Sequence, residues 1–430
     1  MAPLIKPVET HRDIPSESAV VVIGGGIVGL STALSLAERG IAVVVLEKGR
    51  IAGEQSSRNL GWIRKLSRLP ADIPLARHSE RLWQEMPQRT GADVGYRQNG
   101  IMFVARNEAE LAVHQKWLRS AEPFALGARL LTPAQIEAMV PGGAENWAGG
   151  IYCQSDGSAE PTLASSAIAN AAIRKGVTIV ENCAARSLVK SGGRLTGVAT
   201  ERGEIRCEQV VLAGGLWSRR FLGNLGISFA TLPVSASVIR TAPMEGPTSI
   251  AVGAPDFSFR KRVDGGFIIT QRGALNASLT LDHARIGYKY TAALRANWSN
   301  LRIRVGREFF ADMALSRRWR SDRPSPFERM RTLDPVPSQA LVDEAMRNLI
   351  RAYPAFADSV ILETWAGTID ITPDSLPVIS PVPQLPGLTL ATGFSGHGFG
   401  TAPAAGELAA DLVLMRPPAV DPSPYSLSRF

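Results

Sequence analysis

Three glycines near the start of the chain have the spacing of a phosphate-binding turn. Gly24, Gly26 and Gly29 fit the pattern G-x-G-x-x-G, directly after the β-branched residues 20–23. The first glycine permits a tight turn, the second lets backbone approach a pyrophosphate, and the third lets a helix pack on a strand. Free N–H groups at the start of that helix, together with its dipole, favour the charge of a phosphate. The turn predicts a dinucleotide site, without distinguishing FAD from NAD.

The elements that must hold this turn follow it in the required order. Residues 30–39 carry apolar side chains at helical spacing, Gly40 ends that helix, and residues 41–46 form a second strand. Glu47 stands at the end of this strand, about 20 residues after the turn, where a carboxylate can bind ribose hydroxyls. This complete order favours a nucleotide site over the alternative, a glycine-rich turn without a ligand.

Composition excludes several classes of protein. The 430 residues suffice for two domains or one interleaved unit, and 45% hydrophobic with 20% charged residues is typical of a globular chain. The three cysteines have no C-x-x-C spacing, which argues against a disulfide framework, a zinc site or an iron–sulfur cluster. No apolar run is long enough to span a membrane. Residues 1–18 lack the apolar core of a secretory signal and are predicted to be a disordered leader. The predicted location is cytoplasmic, and no metal is expected.

Positive charge is concentrated in one segment. The formal net charge is +8, and residues 285–331 alone hold twelve Lys or Arg against four Asp or Glu, so the rest of the chain is neutral. We predict a basic helical insertion here. Its simplest interpretation is a solvated face of helices; the alternatives are contact with a partner protein or peripheral contact with the inner membrane. Nucleic acid is not expected, because no recognised binding motif accompanies the charge.

Three further stretches accompany the glycine turn. They are SSRNLGW at residues 56–62, VVLAGGLWS at 210–218, and TPDSLPVI at 372–379 with GFSGHGFGTAPAAG at 393–406. Together with the turn, and in this order, they resemble the D-amino-acid oxidase-like family of FAD-dependent oxidoreductases, which includes D-amino-acid dehydrogenases and glycine and sarcosine oxidases. The resemblance covers nearly the whole chain, and a nicotinamide dehydrogenase would not need the last three stretches.

The resemblance implies a fold and a domain organisation. The expected fold is α/β (α+β), a Rossmann-like FAD-binding domain of the GR2 type with an interleaved antiparallel-sheet substrate domain. The FAD-binding domain is expected to comprise residues 19–95, 150–230 and 355–430, and the substrate domain residues 96–149 and 231–354, with the insertion at 285–331.

The resemblance also implies which residues contact FAD. The ADP part is expected on Gly24, Gly26, Ile27, Val28, Gly29, Glu47 and Lys48, with Ala185 at the adenine. Ser56, Ser57, Asn59 and Leu60 are expected along the diphosphate and flavin, and Ala213, Gly214 and Trp217 along the middle of the cofactor. Gly396, His397, Gly398, Phe399, Gly400 and Thr401 are expected at the isoalloxazine. Arg58 and Gly367 stand near the positions of covalent attachment in some relatives, so noncovalent FAD is expected.

The carboxy-terminal glycines support a flavin independently of the resemblance. Gly393, Gly396, Gly398 and Gly400 let backbone lie against a ring system, and residues 401–414 read as a helix whose positive end points back at them. Such an end can stabilise negative charge on a reduced flavin. The alternative is a glycine loop that caps a structural helix.

One departure from the family pattern concerns the substrate. Relatives acting on simple amino acids often carry an arginine in G-x-R-P-x-T-P-D, where this chain has GTIDITPD at residues 367–374. Ile369 therefore stands where those relatives have an arginine that can bind a carboxylate through two hydrogen bonds. Asp370, the next residue, would repel an anion or attract an ammonium. Other candidates are Arg64 and Lys65 for the carboxylate, Trp62 and Trp365 for the pocket walls, and His397 for polarising flavin or substrate; no acid–base residue is certain.

These observations predict an enzyme of EC class 1.4 or 1.5. The expected reaction oxidises a C–N bond in a D-amino acid, an N-alkyl amino acid or an opine-like amine, by hydride transfer to flavin N5 and hydrolysis of the imine. Sarcosine-oxidase relatives carry a lysine that promotes reaction with oxygen, and the matching positions here, around Ile268 and Ile269, are apolar. This difference favours a dehydrogenase, although oxygen, a quinone and a protein remain open as electron acceptors. The alternatives are a FAD-dependent 2-hydroxy acid or polyol dehydrogenase and a flavin-binding subunit of a larger complex.

Overall fold

Strands and helices alternate through most of the chain. The structure, a computed structural model, describes residues 3–297 and 301–430. The strands are β1 (Val20–Ile23), β2 (Val43–Leu46), β3 (Trp62–Ile63), β4 (Ile101–Ala105), β5 (Arg129–Leu131), β6 (Gly149–Cys153), β7 (Gly157–Ser158), β8 (Thr178–Val180), β9 (Ala185–Ser191), β10 (Arg194–Thr200), β11 (Gly203–Arg206), β12 (Gln209–Leu212), β13 (Leu232–Thr241), β14 (Ala251–Gly253), β15 (Ser258–Lys261), β16 (Phe267–Thr270), β17 (Leu275–Ser278), β18 (Leu301–Arg304), β19 (Ile361–Ile371), β20 (Val378–Pro381) and β21 (Leu388–Thr392).

The helices lie between these strands and after the last of them. They are α1 (Ile27–Ala37), α2 (Gln55–Arg58), α3 (Ile73–Thr90), α4 (Glu108–Ala121), α5 (Pro133–Met139), α6 (Pro161–Arg174), α7 (Ser218–Asn224), α8 (Leu281–Ile286), α9 (Thr291–Asn297), α10 (Arg307–Ala314), α11 (Pro326–Arg329), α12 (Gln339–Ala352) and α13 (Gly398–Val413).

A six-stranded sheet holds the glycine turn. Its order is β20-β21-β12-β1-β2-β8, and every pair is parallel except β20 with β21. The helices α1, α6 and α13 cover one face, because their side chains are apolar on nearly every side. The crossing of α1 and α13 is close, since a Cβ on Gly406 would lie 2.6 Å from the backbone nitrogen of Thr32. The three-stranded sheet β11-β10-β9 and α7 pack on the other face.

A second, larger sheet lies beside the first. Its ten strands follow the order β18-β17-β13-β16-β15-β14-β4-β6-β5, and β19 pairs with β13. Only two of its pairs, β14 with β4 and β17 with β18, are parallel. The helix α12 buries one apolar face against this sheet, where Phe259, Phe267 and Phe356 lie with ring centroids 5.0–6.0 Å apart. The two sheets thus combine a Rossmann-like layer with a mainly antiparallel one, the architecture expected from the sequence.

Two strands of the larger sheet come mainly from ranges that the sequence analysis gave to the FAD-binding domain. Residues 150–153 of β6 lie in the range 150–230 and β19 lies in the range 355–430, both of which the sequence analysis placed in the FAD-binding domain. In the structure β6 pairs with β4, and β19 pairs with β13 from Leu232 to Thr241. The sequence of a strand does not identify the strand with which it pairs, so the sheet of β6 and β19 could be assigned only from the structure.

The prediction of a disordered leader is wrong for residues 3–18. The Lys6 N–H donates to the carbonyl of Thr162, and His11 forms a parallel bridge with Val180 at the edge of the first sheet. The exposed edge of β8 offers main-chain groups that an extended segment can satisfy, whatever its composition.

The segment 285–331 is only partly helical, which corrects the sequence prediction. It includes α9, α10 and α11, but also the strand β18 and an irregular stretch after α10; residues 298–300 lie outside the described residues. Its second half packs on the nucleotide-binding layer, where Glu328 pairs with Arg186 at 2.8 Å and Arg331 pairs with Glu201. Of its twelve basic residues, four form ion pairs among the described residues, namely Arg302, Arg317, Arg320 and Arg331.

None of the helices in residues 3–297 and 301–430 combines the length and the apolarity that crossing a bilayer requires. Within the same ranges, no three His, Cys, Asp or Glu side chains are grouped so that they could hold a metal ion. The three cysteines are buried and free.

Candidate functional site

One long cavity runs from the glycine turn to the end of β16. Its volume is about 420 Å³. The lining includes twenty-two residues singled out by sequence, namely Gly24, Gly26, Ile27, Val28, Glu47, Lys48, Ser56, Asn59, Leu60, Trp62, Arg64, Ala185, Ala213, Gly214, Trp217, Ile369, Asp370, Gly396, His397, Gly398, Phe399 and Gly400. Segments from five separate parts of the chain therefore meet around one space.

Three expected cofactor residues, Gly29, Ser57 and Thr401, lie behind the lining. A Cβ on Gly29 would lie 2.1 Å from the Gly24 carbonyl oxygen, so this glycine allows helix and strand to pack. The Ser57 hydroxyl donates to the carbonyl of Glu54, the residue before α2, at 3.4 Å. The Thr401 hydroxyl donates to the carbonyl of His397 at 3.0 Å. Their part in binding is to hold neighbouring lining residues.

Two substrate candidates, Lys65 and Trp365, also lie away from the cavity lining. The Lys65 ammonium is buried between Glu80, at 2.7 Å, and Asp156, at 2.9 Å. The Trp365 indole N–H donates to the carbonyl of Arg58 at 3.0 Å. Lys65 is thus already neutralised, and Trp365 supports the segment after β2.

At one end of the cavity, the start of α1 is open to a ligand. Gly24 has φ of 115°, and a Cβ there would lie 2.4 Å from the carbonyl oxygen of Ala213. The hydroxyl of Ser56 accepts the Ile27 N–H at 2.9 Å. In the described chain, the N–H groups of Gly26 and Val28 have no protein acceptor. Backbone donors and a helix dipole thus point at the same place, which suits a phosphate.

Glu47 stands beside this turn, as the sequence predicts. Its two carboxylate oxygens accept N–H groups of Gly25, at 2.8 Å, and Gly49, at 2.7 Å. Burial raises the pKa of the Glu47 carboxyl, while Lys48 and the two backbone donors oppose the rise. Each carboxylate oxygen can accept a second hydrogen bond, so ribose hydroxyls remain possible partners.

Glu54 is a lining residue that sequence reasoning missed. It pairs with the Lys48 ammonium at 2.7 Å and accepts the indole N–H of Trp217 at 2.9 Å. The Lys48 nitrogen also lies 4.3 Å from the centre of the Trp217 ring. Glu54 therefore links two expected cofactor residues, and only its position beside the serines of α2 hinted at this.

At the middle of the cavity, the glycine loop precedes α13. Gly393 and Gly396 have φ of 71° and 81°. The helix begins at Gly398, three residues earlier than predicted, so its positive end opens directly onto the cavity. Burial lowers the pKa of His397 well below its ordinary value, and nearby Arg68 and Arg64 add to the shift. The imidazole is therefore neutral.

Asp370 is buried in the same wall, with 1% of its surface exposed. One carboxylate oxygen accepts the Gly393 N–H at 3.0 Å, and the other has no hydrogen-bond partner. Burial raises the pKa of this carboxyl to about 6. The neighbouring Ile369 packs near Gly396 and cannot bind a carboxylate.

Arg272 is the substrate-side residue that sequence reasoning missed. It follows β16, stacks 3.9 Å from the centre of the Phe103 ring, and donates to the Ala254 carbonyl at 3.3 Å. Its side chain is exposed and opens into the cavity, and desolvation by the surrounding protein lowers its pKa to about 10. No carboxylate among the described residues pairs with it. The only signal in the sequence was an arginine directly after a buried strand.

Arg64 is the second unpaired arginine of this end. Its guanidinium donates to the Leu66 carbonyl and lies 3.5 Å from the His397 ring nitrogen. Burial, and then the charges of Arg68 and Arg272, lower its pKa to about 9. Arg68 itself is paired with a buried aspartate at 2.7 Å, whereas Arg64 has no ion pair in the described chain.

Ile268 and Ile269 do not reach the cavity, which corrects one inference from the sequence. Ile268 packs against Val238 and Trp365, and Ile269 lies in the core under α12. The strand reaches the cavity only with Thr270 and the two residues after it. The apolar character of the two isoleucines therefore carries no information on oxygen reactivity.

The residues of the cavity fit an extended flavin dinucleotide. Four lining side chains hold buried polar atoms without a protein partner: the Arg58 Nε, the Trp62 Nε1, the Ser258 Oγ and one Asp370 oxygen. Because such atoms are rare in proteins, they indicate a polar ligand along the wall. Phosphate donors occupy one end and a flat glycine loop the middle, as FAD requires.

Comparison with known proteins agrees with this geometry. The chain is 28% identical to a glycine oxidase of Pseudomonas aeruginosa, over 95% of this chain and 98% of that one. It is 26% identical to the sarcosine oxidase subunit beta of an Arthrobacter species, over 96% and 90%. The structure of an L-amino acid deaminase from Proteus myxofaciens in complex with anthranilate matches with a TM-score of 0.95 and 34% identity, over 99% and 96%.

A family profile matches most of the chain. Residues 19–412 fit the DAO family, described as FAD dependent oxidoreductase. This range includes both sheets and the whole cavity. The chain therefore belongs to the DAO family of FAD-dependent oxidoreductases.

Proposed function

We propose that the protein oxidises the C–N bond of an α-amino acid whose carboxylate binds Arg272. The observation that supports this proposal is that the Arg272 guanidinium opens into the cavity and has no ion pair within the described residues. When bound, FAD supplies the acceptor of two electrons. The protein supplies placement, charge and exclusion of water.

In this proposal Arg272, two residues after β16, takes the part of the arginine that relatives carry on β19. Ile369 leaves no clamp at the position known from the family pattern, whereas Arg272 reaches the cavity from the end of β16, which pairs with β13 in the same sheet as β19. A guanidinium binds a carboxylate through two parallel hydrogen bonds. Stacking on Phe103 holds the fork in one orientation, so the substrate's α-carbon is held in a defined place.

Relatives support an amino acid as the substrate class. The glycine oxidase, the sarcosine oxidase subunit and the L-amino acid deaminase all carry names of enzymes acting on amino acids. The match to the deaminase, at 34% identity, favours the L configuration over the D configuration. Neutral His397, at the start of α13, can hydrogen-bond a ligand without adding charge.

Anaerobic mixing tests this proposal. The holoenzyme is mixed with L-amino acids, D-amino acids, N-methyl amino acids and 2-hydroxy acids, and the loss of visible flavin absorbance is followed. We expect bleaching by L-amino acids. Bleaching by hydroxy acids alone would replace the proposal with the 2-hydroxy acid alternative, and admission of oxygen, a quinone or a dye afterwards identifies the acceptor.

Substitution of Arg272 tests the carboxylate clamp. Arg272→Gln should weaken transition-state stabilisation by about 2–4 kcal/mol, which is a loss of about 30- to 1,000-fold in kcat/KM, because its charge pair with the substrate carboxylate is lost. Arg119→Gln removes an exposed arginine on α4 that has no ion pair in the described chain, and should leave turnover unchanged. Equal kinetics of both variants would remove Arg272 from the site.

A second candidate is a flavin-bearing subunit of a larger complex. Val305, Phe310 and Met313 expose 68%, 66% and 52% of their surfaces in the basic segment. Grouped exposed apolar residues are typical of contact surfaces. Size-exclusion chromatography with light scattering, on protein purified without salt washes, would detect an attached partner protein or lipid.

A further inference from the structure

The substrate end of the cavity carries more positive charge than one carboxylate can neutralise. Arg64 and Arg272 both line it, and neither is paired with a carboxylate in the described chain. The nearest other charges are already partnered: Arg68 with Asp72, and Lys65 with two carboxylates. Two guanidinium charges are thus left without a counter-ion.

The two arginines share one aromatic platform. Arg272 lies 3.9 Å and Arg64 lies 5.7 Å from the centre of the Phe103 ring. Trp62 flanks the same ring at 5.7 Å. Burial lowers the pKa of Arg64, and the positive charges of Arg68 and then Arg272 add to the shift. Arg64 and Arg272 are therefore near neighbours that the fold keeps close against their repulsion.

Energetics argue that this arrangement is completed by the ligand. Arg272 is exposed to the cavity and Arg64 is half-buried, so water screens their charges while the cavity is open. Once a ligand displaces that water, two like charges without a counter-ion become destabilising. An amino acid with a neutral side chain brings one carboxylate, which leaves one guanidinium unpaired. A substrate with a second anionic group would neutralise both.

We propose that the preferred substrate is an amino acid with a second carboxylate, one carboxylate on Arg272 and the other on Arg64. This inference rests on the proposed amino acid oxidation and names its substrate class. Of the remaining lining acids, Glu47 and Glu54 lie by the glycine turn, and Asp370 bonds to the glycine loop. None of these occupies the arginine pair.

Matched pairs of amino acids give the test. L-Glutamate is compared with L-glutamine, and L-aspartate with L-asparagine, because each pair differs by one charge at nearly constant size. The holoenzyme is mixed anaerobically with each, and kcat/KM for flavin reduction is measured. We expect the acidic member to be favoured by about 100-fold, as for a close charge pair.

A non-reactive pair separates binding from chemistry. Calorimetric titration of the holoenzyme with glutarate and with glutaramate, its monoamide, reports the dissociation constants without turnover. We expect glutarate to bind more tightly by a similar factor. This readout remains valid if no amino acid reduces the flavin, in which case the proposed oxidation fails while the two-anion site is still tested.

Variants assign each carboxylate to its arginine. Arg64→Met should reduce the preference for glutarate over glutaramate to a few-fold, and Arg272→Met should weaken both ligands. Arg119→Met is the surface control and should keep the full preference. Visible flavin absorbance and far-ultraviolet circular dichroism show whether each variant is folded and loaded.

Three results would overturn the inference. Equal affinity for glutarate and glutaramate in the unsubstituted enzyme would show that Arg64 meets no second carboxylate. If Arg64→Met kept the full preference for glutarate over glutaramate, the second carboxylate would bind at a residue other than Arg64. If glutamine and glutamate reduced the flavin with equal efficiency, the proposed amino acid oxidation would stand and only the preference for a second carboxylate would be refuted.

Discussion

Asp370 makes the stability of the FAD-free protein depend on pH in a predictable direction. The carboxyl is buried, and its pKa is raised from 3.8 to about 6. A raised pKa means that the folded state binds the proton more tightly than the unfolded state. The protonated form therefore contributes stability at low pH, and this contribution is lost as pH rises through about 6.

Asp370→Asn removes this titration while keeping an acceptor for the Gly393 N–H, which lies 3.0 Å from the native carboxylate. Relative to the native protein, the variant should gain about 2 kcal/mol in free energy of unfolding between about pH 4.5 and about pH 7.5. Urea unfolding at both pH values, followed by circular dichroism, measures the difference.

The control is Asp358→Asn, which removes one carboxylate from the exposed surface. The reasoning is refuted if the difference between Asp370→Asn and the native protein is the same at both pH values. It would also fail if the variant became less stable than the native protein as pH rises, because that sign requires a lowered pKa.

Two further substitutions probe the framework of the site. Gly29→Ala would place a Cβ 2.1 Å from the Gly24 carbonyl oxygen; we expect a loss of about 3 kcal/mol or more in stability and of bound flavin, measured by the visible-to-ultraviolet absorbance ratio. Gly223→Ala, which meets no atom within 4 Å, should retain flavin. Lys65→Met should destabilise the protein by about 3–5 kcal/mol in urea unfolding, because Asp156 would be left buried and unpaired; a loss below about 1 kcal/mol would contradict that account.

The nucleotide end of the site could be predicted because its determinants are local. The turn, the helix and Glu47 lie within some thirty consecutive residues, and each has a specific steric or electrostatic reason. The serine segment and the carboxy-terminal glycines were found by resemblance to a family pattern. The structure then places most of these residues around one cavity.

The substrate end could not be predicted in the same way. Arg272 reaches the cavity because of where β16 ends among its neighbours, and Lys65 misses it because Glu80 and Asp156 bury its side chain. The adjacent residues Arg64 and Lys65 therefore differ, because the side chain of Arg64 lines the cavity and that of Lys65 is buried between two carboxylates. Such facts depend on strand pairing across the whole chain, which local patterns do not report.

β19 has a mechanical consequence. It runs along β13 for ten residues, and its far end is bonded to the glycine loop through Asp370 and Thr372. A hinge motion between the two sheets would leave this ladder intact, because both strands lie in the larger sheet, but it would have to break the hydrogen bonds of Asp370 and Thr372 to the glycine loop. The junction at Asp370 and Thr372 therefore couples the position of the larger sheet to the shape of the glycine loop that lines the cavity.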